Sequence, residues 1–414
     1  MKNQLLIFLL LCASAVSCLN ISDAVSYTTV QMTVLPYEEI DPSRTPVPGV
    51  SVYLENIGNG ATYRTETGAD GKAVFPAVLG RYRVVARREA EVPGQGGGLE
   101  KVIYVGARDN IRVDNQDLEL PLPIFETAPS TLVIKEAYFG GCKKLPYEGD
   151  YQSDQYLLLH NNSAEDQYLD SLCVGCLAPY NSSATNHWVK PGPDGGLVYE
   201  DYAPIIQAVW QFPGNGTNFV LHPGEDAVLC FRGAIDHTRQ FPLSVNLDKS
   251  DYFVTYDIQN FPNPTYHPAP GPNIRADHYL IMVKKMGIAN AYTISVNSPA
   301  LVIFRTKGIT VQDFVEDESN IEQVPNSQDK VVKLPWEWIV DGAEAFVASS
   351  NNNIKRLHPR VDGGYVTFSQ SFLGHTIFRR KDDIMSAQSG YEVLYDTNNS
   401  SFDFYEREVQ SLHE

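Results

Sequence analysis

The sequence predicts an all-β protein of two sheet-built units, the second larger and carrying long loop insertions. Two observations carry that prediction. Short runs of Val, Ile, Thr, Tyr and Phe recur, split by Gly, Pro, Asn and Asp, while helical periodicity is nearly absent. The 26 prolines and 30 glycines supply turns and keep sheet edges from pairing with neighbours. A chain of 414 residues has room for two or three domains. At 43% hydrophobic and 20% charged, its composition is globular rather than disordered.

The amino terminus is the first element. Lys2 gives a positive start, Leu5 to Ala13 are an apolar run, and Ala15-Val16-Ser17 precede Cys18. The run is too short to cross a bilayer as a mature helix, so residues 1–17 read as a signal peptide. A cysteine after small residues fits a bacterial lipobox, in which Cys18 is lipidated and residues 18–25 form a tether. Ordinary cleavage, leaving Cys18 a plain thiol, is the alternative. With lipid attached, the expected partner is a membrane.

Residues 26–123 form the first predicted unit. Strands are expected over residues 28–35, 50–54, 61–66, 73–75, 81–87, 101–105 and 111–120, with Tyr82 and Val84 on one face. Gly68-Ala69-Asp70-Gly71-Lys72 is a tight turn, and Gly94 to Gly98 a flexible hairpin tip. Residues 121–130, with three prolines, read as a linker. The second unit, residues 131–414, opens with Leu132-Val133-Ile134-Lys135-Glu136-Ala137-Tyr138. Its later markers are Asn161-Asn162-Ser163, a Leu221-His222-Pro223-Gly224 turn, Ile377-Phe378-Arg379-Arg380, and the ending Asp396-Thr397-Asn398-Asn399-Ser400-Ser401. Two insertions enlarge it, residues 178–218 and 251–278.

The first unit runs Pro48-Gly49-Val50-Ser51-Val52-Tyr53-Leu54, Thr65-Glu66-Thr67, Asp70-Gly71-Lys72-Ala73-Val74-Phe75, then Gly80-Arg81-Tyr82-Arg83-Val84. That order resembles the carboxypeptidase-regulatory-like immunoglobulin-type sandwiches, which act as spacers or docking modules. The markers of the second unit resemble the lamin-tail sandwich. Together with the lipobox they resemble the Bacteroidota lipoprotein family labelled domain of unknown function 4876. The resemblance implies two immunoglobulin-like β-sandwiches and an outer-membrane lipoprotein, and no activity. Ser171 departs from the Gly usual after Leu-Asp in lamin tails, and the body cysteines are additions to the pattern.

A net charge of −18 repels phosphate backbones, so nucleic acid is not an expected partner. The folded body holds Cys142, Cys173, Cys176 and Cys230. An exported chain favours structural disulfides, with Cys142 joined to one member of the close pair and Cys230 to the other. A zinc site and free or redox thiols are the alternatives.

Catalytic signatures are missing: no Gly-x-Ser-x-Gly, Walker loop, dinucleotide-binding glycine loop or His-Glu-x-x-His occurs. No enzyme activity, cofactor or metal is therefore expected. Asp236-His237 and Asp277-His278 could pair a carboxylate with an imidazole. Asp396, Asn398, Asn399 and Asp403 resemble an oxygen-rich calcium loop, although turn formation explains them more simply. Asp170-Ser171-Leu172 fits a short O-glycosylation pattern. The sharpest positive feature is aromatic: Trp188, Trp210, Tyr256, Phe261, Tyr266 and His267 lie on proline-stiffened loops. Rings held that way stack on a sugar, a macrocycle or a partner protein, or else cover the ends of the sandwich as local core. The expected role is a non-catalytic outer-membrane lipoprotein, at the cell surface or alternatively on the periplasmic face, binding a ligand or docking on a TonB-dependent transporter. A structural or adhesive envelope protein is the alternative.

Overall fold

Alternation of apolar and polar residues places the first seven strands. The computed structural model describes residues 29–93, 99–127, 129–192, 196–350 and 352–413. The signal peptide, Cys18, the tether and the expected hairpin tip at Gly94–Gly98 lie outside the described residues. Strands β1 (Thr29–Glu38), β2 (Ser51–Asn56), β3 (Thr62–Glu66), β4 (Ala73–Val78), β5 (Gly80–Pro93), β6 (Leu99–Val113) and β7 (Leu118–Thr127) make one sheet, in the order β3-β2-β5-β6-β7-β1-β4. It wraps round a single core to which Met32 and Val34, Val52 and Leu54, Phe75, Tyr82 and Val84, and Leu120, Leu122 and Ile124 contribute.

The expected linker is largely β7. Leu120, Leu122 and Ile124 alternate inward, and the strand runs parallel to β1 before pairing with β6 from Phe125. Pro121 and Pro123 are tolerated because β6 does not pair with that stretch. Lys101 to Val113 is likewise one strand, where a break had been expected.

Two sheets build the second unit. A six-stranded sheet has the order Phe253–Val254, Asp226–Cys230, Tyr156–Asn161, Leu132–Tyr138, Thr376–Arg379, Phe404–Arg407. An eight-stranded sheet is centred on Tyr202–Gln211, Cys173–Leu177, Ala300–Phe304 and Ile339–Val347. Leu157, Leu159 and Leu229 of the first sheet meet Val174, Trp210 and Ile303 of the second in one core. The outer faces are covered too: Val245, Leu247 and Ile274 pack on one, and the helix Val311–Glu316 on the other. Burial on both faces explains why Leu132–Tyr138 and Ala300–Phe304 carry no polar alternation. The asparagine loop and the Pro-Gly turn are bonded together, Gly224 N–H donating to the Asn161 carbonyl at 2.9 Å, with Gly224 at φ +80°. No described helix is long and apolar enough to cross a membrane.

The units touch along a broad seam. Phe125 meets His358 edge-on at 4.6 Å, the Arg83 guanidinium lies 3.8 Å from the Tyr365 ring centre, and Ser130 Oγ donates to Val340 O at 2.8 Å. Gly363 is a contact point where a Cβ would lie 3.1 Å from Ala107 Cβ and 3.2 Å from Val85 Cγ1.

Candidate functional site

Most of the loop rings proposed for binding belong to the core. Trp188, Trp210, Phe261 and His267 are buried. Trp210 stacks on Phe261 at 5.9 Å and meets Tyr292 at 5.5 Å. Tyr256, half-buried, stacks on His267 at 5.1 Å. His267 accepts from Asp257 N–H at 3.0 Å, and burial pulls its pKa down to about 4. Tyr266 alone is exposed, with the buried Arg232 guanidinium 5.0 Å from its ring centre. The insertions fold back because their rings bury more apolar area against the sheets than solvent could offer them.

The expected disulfides are not formed. Cys142, Cys173, Cys176 and Cys230 are all free and buried. Residues 173 and 176 point to opposite faces of their strand, Cys173 into the core under the Val311–Glu316 helix and Cys176 into the inter-sheet core. Cys230 lies in a third cluster, and Cys142 Sγ is 3.6 Å from Asp154 Oδ2. Burial pushes the thiols up, to about 12 for Cys142 and Cys173 and about 11 for Cys176, so none is an activated nucleophile.

The acidic groups have structural partners. Asp236 caps the turn at His237–Arg239, whereas Asp277 pairs with Arg275 at 2.5 Å; neither is hydrogen-bonded to the histidine that follows it. The two carboxylates of the calcium-like loop, Asp396 and Asp403, face a cation already supplied by the chain, while Asn398 bonds Val361 O and Asn399 caps the Ser400–Asp403 helix. The Arg379 guanidinium, buried, lies 2.6 Å from Asp341, 3.2 Å from Asp396 and 3.7 Å from Asp403. His160, Asp226 and Glu392 also converge, the one such grouping among the described residues that could suit a metal. There Lys135 Nζ sits between the two carboxylates, and both ring nitrogens of His160 are engaged, Nδ1 with Asp226 at 2.6 Å and Nε2 with Glu392 O at 3.0 Å. The ammonium supplies the positive charge a metal would bring. Ser171 is exposed, at φ +61°, while Asp170 is buried and accepts from the N–H groups of Gly216, Asn218 and Phe219.

What the structure brings together lies on the seam between the units. Tyr53, Glu55, Tyr63, Arg64 and Arg83 from the first unit and Asn399, Ser401 and Phe402 from the second enclose a cleft of about 300 Å³. Val52 and Leu54 face the core, so strand alternation turns Tyr53 outward. Its ring lies 6.0 Å from Phe402, and the Arg64 guanidinium 4.9 Å over it. Tyr63 and Phe402 are exposed. Asn399 caps the helix Ser400–Asp403, which fixes the direction of Phe402. Arg83 is buried between Glu55 at 3.1 Å and Asp109 at 2.5 Å, which keep it charged. Rings beside fixed hydrogen-bonding groups, with the cleft carboxylate engaged by arginine, equip the site for binding. The one sequence signal for it was an aromatic at an outward strand position.

These features define a mostly β chain with a cleft at the seam between its two units. A family model described as "Protein of unknown function (DUF4876)" matches residues 222–411. The crystal structure of a DUF4876 family protein from Bacteroides thetaiotaomicron is similar, with 25% identity, 91% of this chain and 94% of that chain covered, and a TM-score of 0.57. A structure from Parabacteroides distasonis described as "Putative cell adhesion protein" shares 11% identity over 51% of this chain and 87% of that chain, with a TM-score of 0.17, too loose a superposition to bear on fold or role. No curated protein matches the chain.

Proposed function

We propose that this chain is a DUF4876-family envelope lipoprotein that binds a sugar-like ligand in the cleft between two immunoglobulin-like sandwiches. The cleft carries the reading: both units contribute rings and polar groups to it, so it requires their apposition. Exposed rings bind the apolar faces of sugars, and the amide of Asn399, the hydroxyl of Ser401 and the Glu55–Arg83 pair suit hydroxyl groups. Family membership is supported by the match over residues 222–411 and by the similar fold across 91% of the chain. The lipobox supports a lipid on Cys18 and an outer-membrane location, and a TonB-dependent transporter is the partner that such a receptor would serve.

The test is calorimetric titration of the full-length protein in detergent with neutral oligosaccharides, alongside Tyr63→Ala and Phe402→Ala. Binding weakened about tenfold or more by each variant supports the reading. Binding that ignores both variants, or no binding at all, sinks it and favours the structural or adhesive role. Purification from gently solubilised membranes, with mass spectrometry of co-eluting proteins, tests the transporter partnership; elution alone or with adhesins argues against it.

A further inference from the structure

A second cavity lies further along the seam, where the segment joining the units crosses the second one. Its volume is about 590 Å³, within the range of roughly 300–1,000 Å³ usual for ligand pockets. The wall includes Glu126 and Ser130 of the joining segment, Arg305 and Lys307, Glu337 and Trp338, and Arg360 and Asn398.

Three observations bear on what it holds. First, its charge is opposite to that of the chain. Lys101, Arg305, Lys307 and Arg360 face Glu126 and Glu337, four cations against two carboxylates, in a protein with 32 basic and 50 acidic residues. Lys101 is tied to Glu89 at 2.8 Å, and Arg305 donates to the carbonyls of Tyr168 and Asp170. Lys307, exposed, and Arg360 form no ion pair among the described residues.

Second, the wall carries buried polar atoms that nothing satisfies. Asn398 is 8% exposed; its Nδ2 donates to Val361 O at 3.2 Å, while Oδ1 accepts no hydrogen bond. Arg360 Nε is also buried and without a hydrogen-bond partner, although its guanidinium lies 5.6 Å over the Phe125 ring. Leaving a buried polar group unpaired costs about 1–3 kcal/mol. Here one orphan is an acceptor and the other a donor. Both atoms are closed off from the cavity, so only a ligand that drew these side chains toward it would offer a hydroxyl to the first and an oxygen to the second. Asn398 also sits at φ +54°, in the left-handed region that asparagine adopts more readily than most side chains.

Third, a half-buried indole belongs to the same wall. Trp338 is braced edge-on by Phe314 at 4.7 Å, and Trp336 is locked by its Nε1 donating to Glu200 O at 3.0 Å. A braced ring loses little entropy when a second ring stacks on it.

We propose that this cavity is a binding site for a carboxylated sugar, a hexuronate free or at the end of an oligosaccharide. The carboxylate meets Arg360 and Lys307, and the sugar ring lies against Trp338. The site stands apart from the cleft of Tyr53 and Phe402 and does not depend on the reading given to that cleft.

The test titrates the full-length protein in detergent with glucuronate, galacturonate and a diuronide, and with glucose as the neutral control. Tryptophan fluorescence and calorimetry report binding. The expected result is saturable binding of a uronate at least about tenfold tighter than glucose. Lys307→Gln should weaken it several-fold; that side chain is exposed, so folding is unaffected. Arg360→Gln should weaken it about tenfold or more, with the thermal melt confirming that the variant folds. Tyr63→Ala and Phe402→Ala should leave uronate binding unchanged, which separates this site from the cleft. A diuronide that binds more tightly than the monomer identifies a chain end as the source, and the reverse identifies the free sugar. No uronate binding, equal binding of glucose by the Phe402→Ala variant, in which the cleft is disabled, or binding insensitive to both Lys307→Gln and Arg360→Gln overturns the proposal.

Discussion

Arg379 shows how a single side chain can replace a bound ion. Three carboxylates, Asp341, Asp396 and Asp403, surround its one guanidinium, so negative charge is in surplus. Burial, set against the attraction of Arg379, raises Asp341 and Asp403 from the ordinary 3.8 to about 7. The sign follows from linkage. Groups raised in the folded state bind protons more tightly there, so their contribution to stability is complete below about pH 4 and is lost as pH rises through about 7. Asp396→Asn removes one negative charge while keeping a carbonyl oxygen for Arg379. Denaturant midpoints should therefore show this variant gaining on the parent between about pH 5 and pH 8, by on the order of 1 kcal/mol. A variant that loses ground over that interval would contradict the account. Arg356 is a second hub. It is paired with buried Glu344 at 2.8 Å and donates to the Pro179 and Ser298 carbonyls. Arg356→Met should cost about 3–5 kcal/mol, because buried Glu344 would lose the guanidinium paired with it and keep only the backbone N–H groups of residues 356 and 357.

At the scale of elements, the insertions behave as cover for the sheets. Phe261→Ala should cost about 3–5 kcal/mol in stability, since its ring fills space between Trp210, His267 and Tyr292. A loop ring serving only a ligand would show a normal melt and lost binding, the opposite result. The cysteines follow the same logic. Cys142, Cys173, Cys176 and Cys230 should resist a thiol reagent in the native state and all react once denaturant is added, and a reductant should leave the melting temperature unchanged. Strand positions were readable wherever one face was wet: alternation along β1, β2 and β4 located them closely. The prolines of β7 concealed a strand, because proline marks a loop unless the facing edge is unpaired. The outward rings of Tyr53 and Phe402 gave little signal, for an exposed aromatic on a strand has many ordinary explanations.

The seam is a property of the whole molecule. Both cavities exist because the two units meet, and Gly363 permits the approach. Gly363→Val should wedge Val85 and Ala107 away from the second unit. Small-angle scattering should then show a larger radius of gyration, and neutral sugar binding at the cleft should fall. An unchanged radius with intact binding would mean that the seam tolerates a side chain there. Taken alone, the sequence determined the all-β class, the placement of most strands in the first unit and the lack of familiar catalytic motifs, since each depends on local alternation, turn residues or short patterns. Tertiary structure alone decided that the cysteines stay apart, that an arginine sits beside the acidic residues where a cation was imagined, and that Tyr53 and Phe402 meet on the seam. Those outcomes depend on which faces of distant segments meet, and residue spacing along a chain carries almost no record of that.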